Sequence, residues 1–396
     1  MEKQNKKLLS ATLLLLFLAG MAGIAVQKGS SSAVQQKEGV TEAADYEQAQ
    51  KELIFWYTDD SMTDYFKNCA KEYYENTGVA VDVVLQDSLG FVESIYQSSM
   101  DEAGYPDIYM IQNDSLGKAY LYGLAAENKD ADAFEAEFAE NAVTASSCRG
   151  TMYAYPLAFH TPVFVYRADV FSEAPASIEQ ILTMAQNDEL GLIAGNLVEW
   201  DVADEFYDFP FVGESFSFSA EDMGTLFVTT DEARYTQGLS YFQELAETVD
   251  LDTETMTRRQ VLDDFNSGAT LSAIVDCWDI SEINGVEYKV AELPAMNDTL
   301  FLRGGSYTEL LVVNEFSEKG KKVSDFALYV TTMCADRLKT QTGQVSVKAD
   351  AATDEKSQSI YGAYQNSISI PGTMDAEDFL RELKNKMTAV WNGASV

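Results

Sequence analysis

At 396 residues the chain exceeds what one ordinary core of ~100–200 residues organises, so two domains are expected. A hydrophobic share of 46% with 12% aromatics argues against a disordered chain and is ample for two cores. The 64 acidic against 27 basic residues leave a formal net charge of -37, which repels polyanions and argues against nucleic acid as a partner.

The chain opens with Lys3, Lys6 and Lys7 ahead of an uncharged apolar run from Leu8 to Val26. A basic flank before such a run directs the segment into a membrane with its amino terminus inside, so the rest of the chain is expected on the extracellular face. The run borders on the ~20 residues of a spanning helix, and an uncleaved anchor is favoured over a cleaved signal peptide, with residues 1–26 as that unit. Leu18, Ala19, Gly20 and Met21 pass without a following cysteine, so lipidation is not supported. Residues 27–50 are polar and read as a flexible linker.

Beyond the linker, Leu53 to Tyr57 reads as a strand, with Thr58, Asp59, Asp60 and Ser61 as its end and a helix cap. Met62, Tyr65, Phe66, Cys69, Ala70 and Tyr73 recur at helical spacing up to Gly78, a C-terminal stop. Strand Val79 to Leu85, a helix over about Phe91 to Ala103 and strand Asp107 to Ile111 complete a β-α-β-α-β order. That order predicts a parallel sheet covered on both faces, with ligands bound beyond the strand carboxyl ends, where Asp59, Asp60, Asn113 and Asp114 share one rim.

Tyr155 to Tyr166 is apolar around the only histidine, His160, and suits a crossing between domains. A helix is expected from about Ser177, another through Leu239, Phe242, Ala246 and Val249, and Leu271–Val275 and Leu310–Val313 read as strands of a second set. Cys69, Cys148, Cys277 and Cys334 are far apart without a CxxC pair, and each sits in an apolar stretch that suits a small buried side chain. No GxSxG, HExxH or P-loop is present, so neither a metal site nor a catalytic centre is predicted and no cofactor is implied.

The strand LIFWYT, the phrases ENTGVAVDV, GYPDIYMI and YGLAAE, the segment GTMYAYPLAFHTPVFVYRADVF, and then PASIEQIL, FNSGATLSAIVDCW, VAELPA, LRGG and QTGQVSVKAD follow one another from Leu53 to about Asp350. In this order and spacing they resemble the maltose-binding type of extracellular solute-binding protein, the receptor of sugar-importing ATP-binding-cassette transporters. The resemblance implies an α/β, two-lobed periplasmic-binding-protein-like fold, each lobe a sheet flanked by helices and the two joined by a hinge. Lobe 1 would hold 52–158 plus 298–345, and lobe 2 would hold 162–294 plus 350–396. The partners it implies are a small carbohydrate and the permease subunits of the importer, with a monomeric receptor.

A pyranose offers an apolar face and a ring of hydroxyls, so its site needs aromatic platforms together with carboxylate or amide acceptors. By the resemblance, Trp278 stands where the family places a stacking tryptophan after a strand, with Asp276 and Asp279 beside it. Glu199 and Trp200 match a segment whose glutamate contacts sugar, and Asp59, Asp60, Asn113 and Asp114 match stretches that contribute polar contacts. His160 falls where the family carries a ligand-contacting acid, and Tyr307 follows a glycine pair whose backbone can approach a ligand closely. Ile111 replaces a large aromatic, and Ile370 to Met374 lack the paired aromatics of the maltose receptor, a departure that favours a smaller or differently shaped solute than a long maltodextrin. Rival readings are a tethered ligand-sensing subunit, a binder of a cationic solute such as a polyamine, and a glycoside-cleaving enzyme.

Overall fold

The first strand, β1 (Leu53–Tyr57), sends alternate side chains inward, so that Leu53, Phe55 and Tyr57 are buried and their neighbours are half-buried. The computed structural model describes residues 46–101, 104–186 and 196–396; the expected anchor over 1–26 and most of the expected linker lie outside the described residues. Among the described residues no helix is long and apolar enough to cross a membrane.

Helix α1 (Thr63–Thr77) buries Tyr65, Phe66, Cys69, Ala70 and Tyr73 on one face and stops at Gly78, whose φ of 76° suits a residue without a Cβ. Strand β2 (Val81–Leu85) then pairs with β1 in parallel, Leu53 beside Val81. Helix α2 (Phe91–Met100) leads to β3 (Ile108–Gln112), parallel to β1 on its other side. The expected β-α-β-α-β unit therefore forms, with its strand carboxyl ends at Thr58 and Asn113.

Strand β4 (Ala154–His160) and strand β5 (Pro162–Arg167) are separated by Thr161 alone and enter different sheets. Helix α3 (Ile178–Gln186) is capped as expected, Gln180 N donating to Ser177 Oγ at 3.0 Å. A hairpin of β6 (Phe216–Ala220) and β7 (Leu226–Thr230) precedes α4 (Glu232–Ala246), α5 (Arg258–Ser267), β8 (Ser272–Asp276) and β9 (Tyr288–Ala291). The chain returns through β10 (Gly305–Val313), α6 (Lys321–Leu328), α7 (Ala335–Thr342), β11 (Val345–Ser346), α8 (Glu355–Asn366), β12 (Ile368–Ser369) and α9 (Ala376–Trp391).

The larger sheet has the order β11-β4-β10-β3-β1-β2, with β12 added to the start of β10. Strand β10 runs antiparallel to both β3 and β4, which corrects the expectation that Leu310–Val313 belongs to a second set of strands. An apolar run announces a buried strand but carries no record of its partner, and here Leu310, Leu311 and Val312 are all inside the larger sheet. The smaller sheet places β5 between β8 and β9, both antiparallel to it, and the segment at Asn196 and Glu199 bridges to Thr270 and Ala273 alongside β8.

The two sheets meet where three strands turn. Thr161 Oγ1 donates to Gly305 O at 3.1 Å, Cys277 N donates to Thr161 O at 3.1 Å, and β12 pairs with Gly305 and Ser306. A Cβ on Gly304 would stand 2.9 Å from Pro162 Cγ, so that glycine lets two crossing segments touch. The result is a two-lobed α/β fold whose two sheets join at this junction. All four cysteines are buried and free.

Candidate functional site

The junction gathers rings. His160, the last residue of β4, is the register partner of Tyr307 on β10, and their rings stack at 5.2 Å and 23°. Trp278 follows β8, where Asp276 accepts its backbone N–H at 3.2 Å and fixes the turn, and its indole N–H donates to Phe159 O at 2.7 Å. That bond places the indole 4.8 Å from the imidazole. Phe206, in a short helical turn capped by Asp204, approaches to 5.4 Å from His160 and 6.3 Å from Tyr307.

Polar groups thread the same place. His160 Nδ1 lies 3.0 Å from Asp276 Oδ2, joining the larger sheet to the smaller one. Gln112, at the end of β3, faces Glu309 across the sheet, donates to its Oε1 at 2.9 Å and stands 3.3 Å from His160 Nε2. Burial pushes the Glu309 carboxyl up to about 7, against the opposing pull of the Gln112 bond and the His160 charge. Burial lowers the His160 pKa, but the charge and hydrogen bond of Asp276 outweigh it and leave the imidazole above its ordinary value. Tyr307 is held well above a free phenol by burial, with the charges of Asp114, Glu205 and Asp204 adding to it.

A hollow of about 400 Å³ lies at the carboxyl ends of β1 and β3, lined among others by Thr58, Phe91, Gln112, Asp114, Ser115 and Lys118, and it reaches the ring cluster through Gln112. Asp59 lies beside it, accepting Ser61 N at 3.0 Å as a cap and Gln344 Nε2 at 3.2 Å, while Asp60 is exposed. Among the described residues no group of three or more His, Cys, Asp or Glu side chains could hold a metal ion.

Of the residues anticipated from sequence, His160, Trp278 and Tyr307 stand in one ring cluster, the Asp114 charge acts on Tyr307 and the Asp59 charge on Glu309, and Asp60 is exposed next to Asp59. The other three, Trp200, Glu199 and Asn113, are buried with their polar groups committed to the fold. Trp200 is fully buried, donates its indole N–H to Asp208 Oδ1 at 3.0 Å and is packed against Phe211, Phe242 and Trp391, a core role that leaves no face for a ligand. Glu199 is also fully buried, bonded to the Asn196 amide beside β8. Asn113 has both ends of its amide committed, donating to Ile370 O at 2.9 Å and accepting Thr308 N at 2.8 Å. Gln112, Glu309 and Phe206 went unrecognised; Glu309 sits inside an apolar strand, and such a buried acid in a strand was the one available signal.

A junction of two lobes, lined by rings and acceptors, is the architecture of a protein that holds a small solute between two bodies. Residues 68–361 match the family of bacterial extracellular solute-binding proteins, and the chain belongs to that family. Solved structures agree in fold. An extracellular solute-binding protein from Staphylococcus aureus in complex with maltose superposes with a TM-score of 0.75 at 19% identity, covering 87% of this chain and 94% of that one. The maltose-binding periplasmic protein MalE from Listeria monocytogenes, also with maltose, gives 0.73 at 19% identity over 87% and 93%. MalX from Streptococcus pneumoniae, in complex with maltopentaose, gives 0.69 at 17% identity over 86% and 95%.

Proposed function

We propose that the protein is the receptor of a carbohydrate importer, capturing a sugar or small oligosaccharide in the cleft between its lobes and delivering it intact to membrane permease subunits. The observation that carries this reading is the ring cluster of His160, Trp278, Tyr307 and Phe206 set among Asp276, Gln112 and Glu309. Flat rings cover the C–H face of a pyranose while carboxylates and amides accept its hydroxyls, and a charge-assisted hydrogen bond contributes ~1.5–3 kcal/mol. The maltose and maltopentaose complexes of structural neighbours support the same ligand class.

In this reading lobe 1 comprises 52–158 plus 298–345 and lobe 2 comprises 162–294 plus 350–396, with residues 1–26 anchoring the receptor to the outer face of the membrane. The test is a thermal-shift screen of glucose, maltose and longer maltodextrins against amino acids and putrescine. A ligand raises Tm in proportion to RT ln(1 + [L]/Kd), so stabilisation by sugars alone supports the proposal. Stabilisation by the amine alone would replace it with cation capture, for which the acids around Tyr307 are the favouring feature. Hydrolysis of an added glycoside would overturn it in favour of an enzyme.

A further inference from the structure

The segment between β12 and α9 passes directly over the end of β3. Gly117 N donates to Gly372 O at 3.0 Å, and Asn113 Nδ2 donates to Ile370 O at 2.9 Å. Neither glycine has room for a side chain: a Cβ on Gly372 would stand 1.8 Å from Asn113 O, and one on Gly117 would stand 2.0 Å from Gly372 O. The β6–β7 turn secures the same place from the second lobe. Met374 N donates to Met223 O at 3.3 Å, and Leu226 N donates to Asp375 Oδ1 at 2.7 Å.

Met223 itself is 4% exposed and belongs to the buried cluster that includes Phe91, Ile111 and Leu116, although its φ of 59° is a conformation that side chains rarely adopt. Such a conformation persists where surrounding contacts hold it, as they do at this tip. Asp114, Ser115 and Lys118, which line the hollow beside the ring cluster, flank Gly117, so the strap lies at the edge of that hollow.

We infer that this strap seals one end of the cleft, so that the site takes a saccharide of one or two rings and turns longer chains away. The inference rests on the sugar-binding reading. A sugar ring needs ~3.5–4 Å of van der Waals separation on each face, and backbones already hydrogen-bonded at 3.0 Å leave no slot for one. Tight glycine-to-backbone seating, with no flexible side chain to swing aside, makes the closure a property of the fold.

Calorimetry on the full chain in detergent, with glucose, maltose and maltopentaose as probes, tests it. Maltose or glucose is expected to bind about tenfold or more tightly than maltopentaose. In Gly372→Ala, whose new methyl cannot seat against Asn113, the gap between maltose and maltopentaose should narrow. Met223→Ala, which removes the anchor of the hairpin tip without touching the strap backbone, keeps the test readable if Gly372→Ala misfolds, and should narrow the gap in the same direction. Wild-type protein that binds maltopentaose as tightly as maltose overturns the sealed end while leaving sugar capture intact, and so does a folded variant with an unchanged ratio. Binding of none of the three sugars overturns both readings together.

Discussion

Two tryptophans show how the same side chain divides between stability and recognition. Trp278 is half-buried at the junction, held by one hydrogen bond and one face against an imidazole. Its replacement by alanine should weaken sugar binding by about tenfold or more and leave the far-ultraviolet circular dichroism unchanged; calorimetry giving wild-type affinity would remove it from the site. Trp200→Ala should do the opposite, costing ~3–5 kcal/mol of unfolding free energy in urea titrations because a fully buried indole leaves a cavity.

Glu199 adds a pH dependence. Burial raises its carboxyl from 4.5 to about 7, and one of its oxygens has no hydrogen-bond partner. The folded state therefore keeps a proton that the unfolded chain has lost, and stability falls as pH rises through the window from 4.5 to about 7. Glu199→Gln should raise stability at pH 8 and change little at pH 4, which melting curves at the two pH values would check. Sequence spacing placed Trp278 at a strand end and Ser177 at a helix cap, because both depend on local order. It could not separate Trp200 from Trp278, since which lobe core an indole meets is decided by distant residues such as Trp391.

Among the elements, the helices follow rules that are short in range. Helix α1 has its apolar positions at helical spacing and its stop at Gly78 with open space around the missing Cβ. Gly78→Ala therefore meets no neighbour and should cost only the left-handed strain, ~1 kcal/mol, a small shift in the midpoint of chemical unfolding. Strand partnership is the opposite case. The β1-α1-β2 and α2-β3 unit was legible because each helix returns the chain for another parallel strand, and β2 and β3 both settle beside β1. Strand β10 enters the same sheet almost 200 residues after β3, and nothing in its own residues names that destination. Missing this partnership also hid Gln112 and Glu309, which meet only because the two strands are adjacent.

At the scale of the molecule, charge and hinge dominate. A net charge of -37 repels itself most in the compact state, so Tm should rise as salt is raised from low ionic strength to about 0.15 M, where the screening length is ~8 Å. A decrease over that range would mean that the surface ion pairs outweigh the repulsion. Closure of two lobes on a bound solute should shrink the radius of gyration in solution scattering, and superimposable profiles with and without saturating sugar would count against a mobile hinge. Length alone called for two domains, but the full arrangement of the lobes was legible through resemblance, because chain order permits it without requiring three strands to cross at one point. That crossing has a practical corollary. The protein owns a single imidazole, and it stands where the two sheets meet and three other rings converge. Its ring-proton resonance can be observed in unlabelled protein without overlap from any other histidine, so the molecule carries its own spectroscopic gauge of whether the gap is filled.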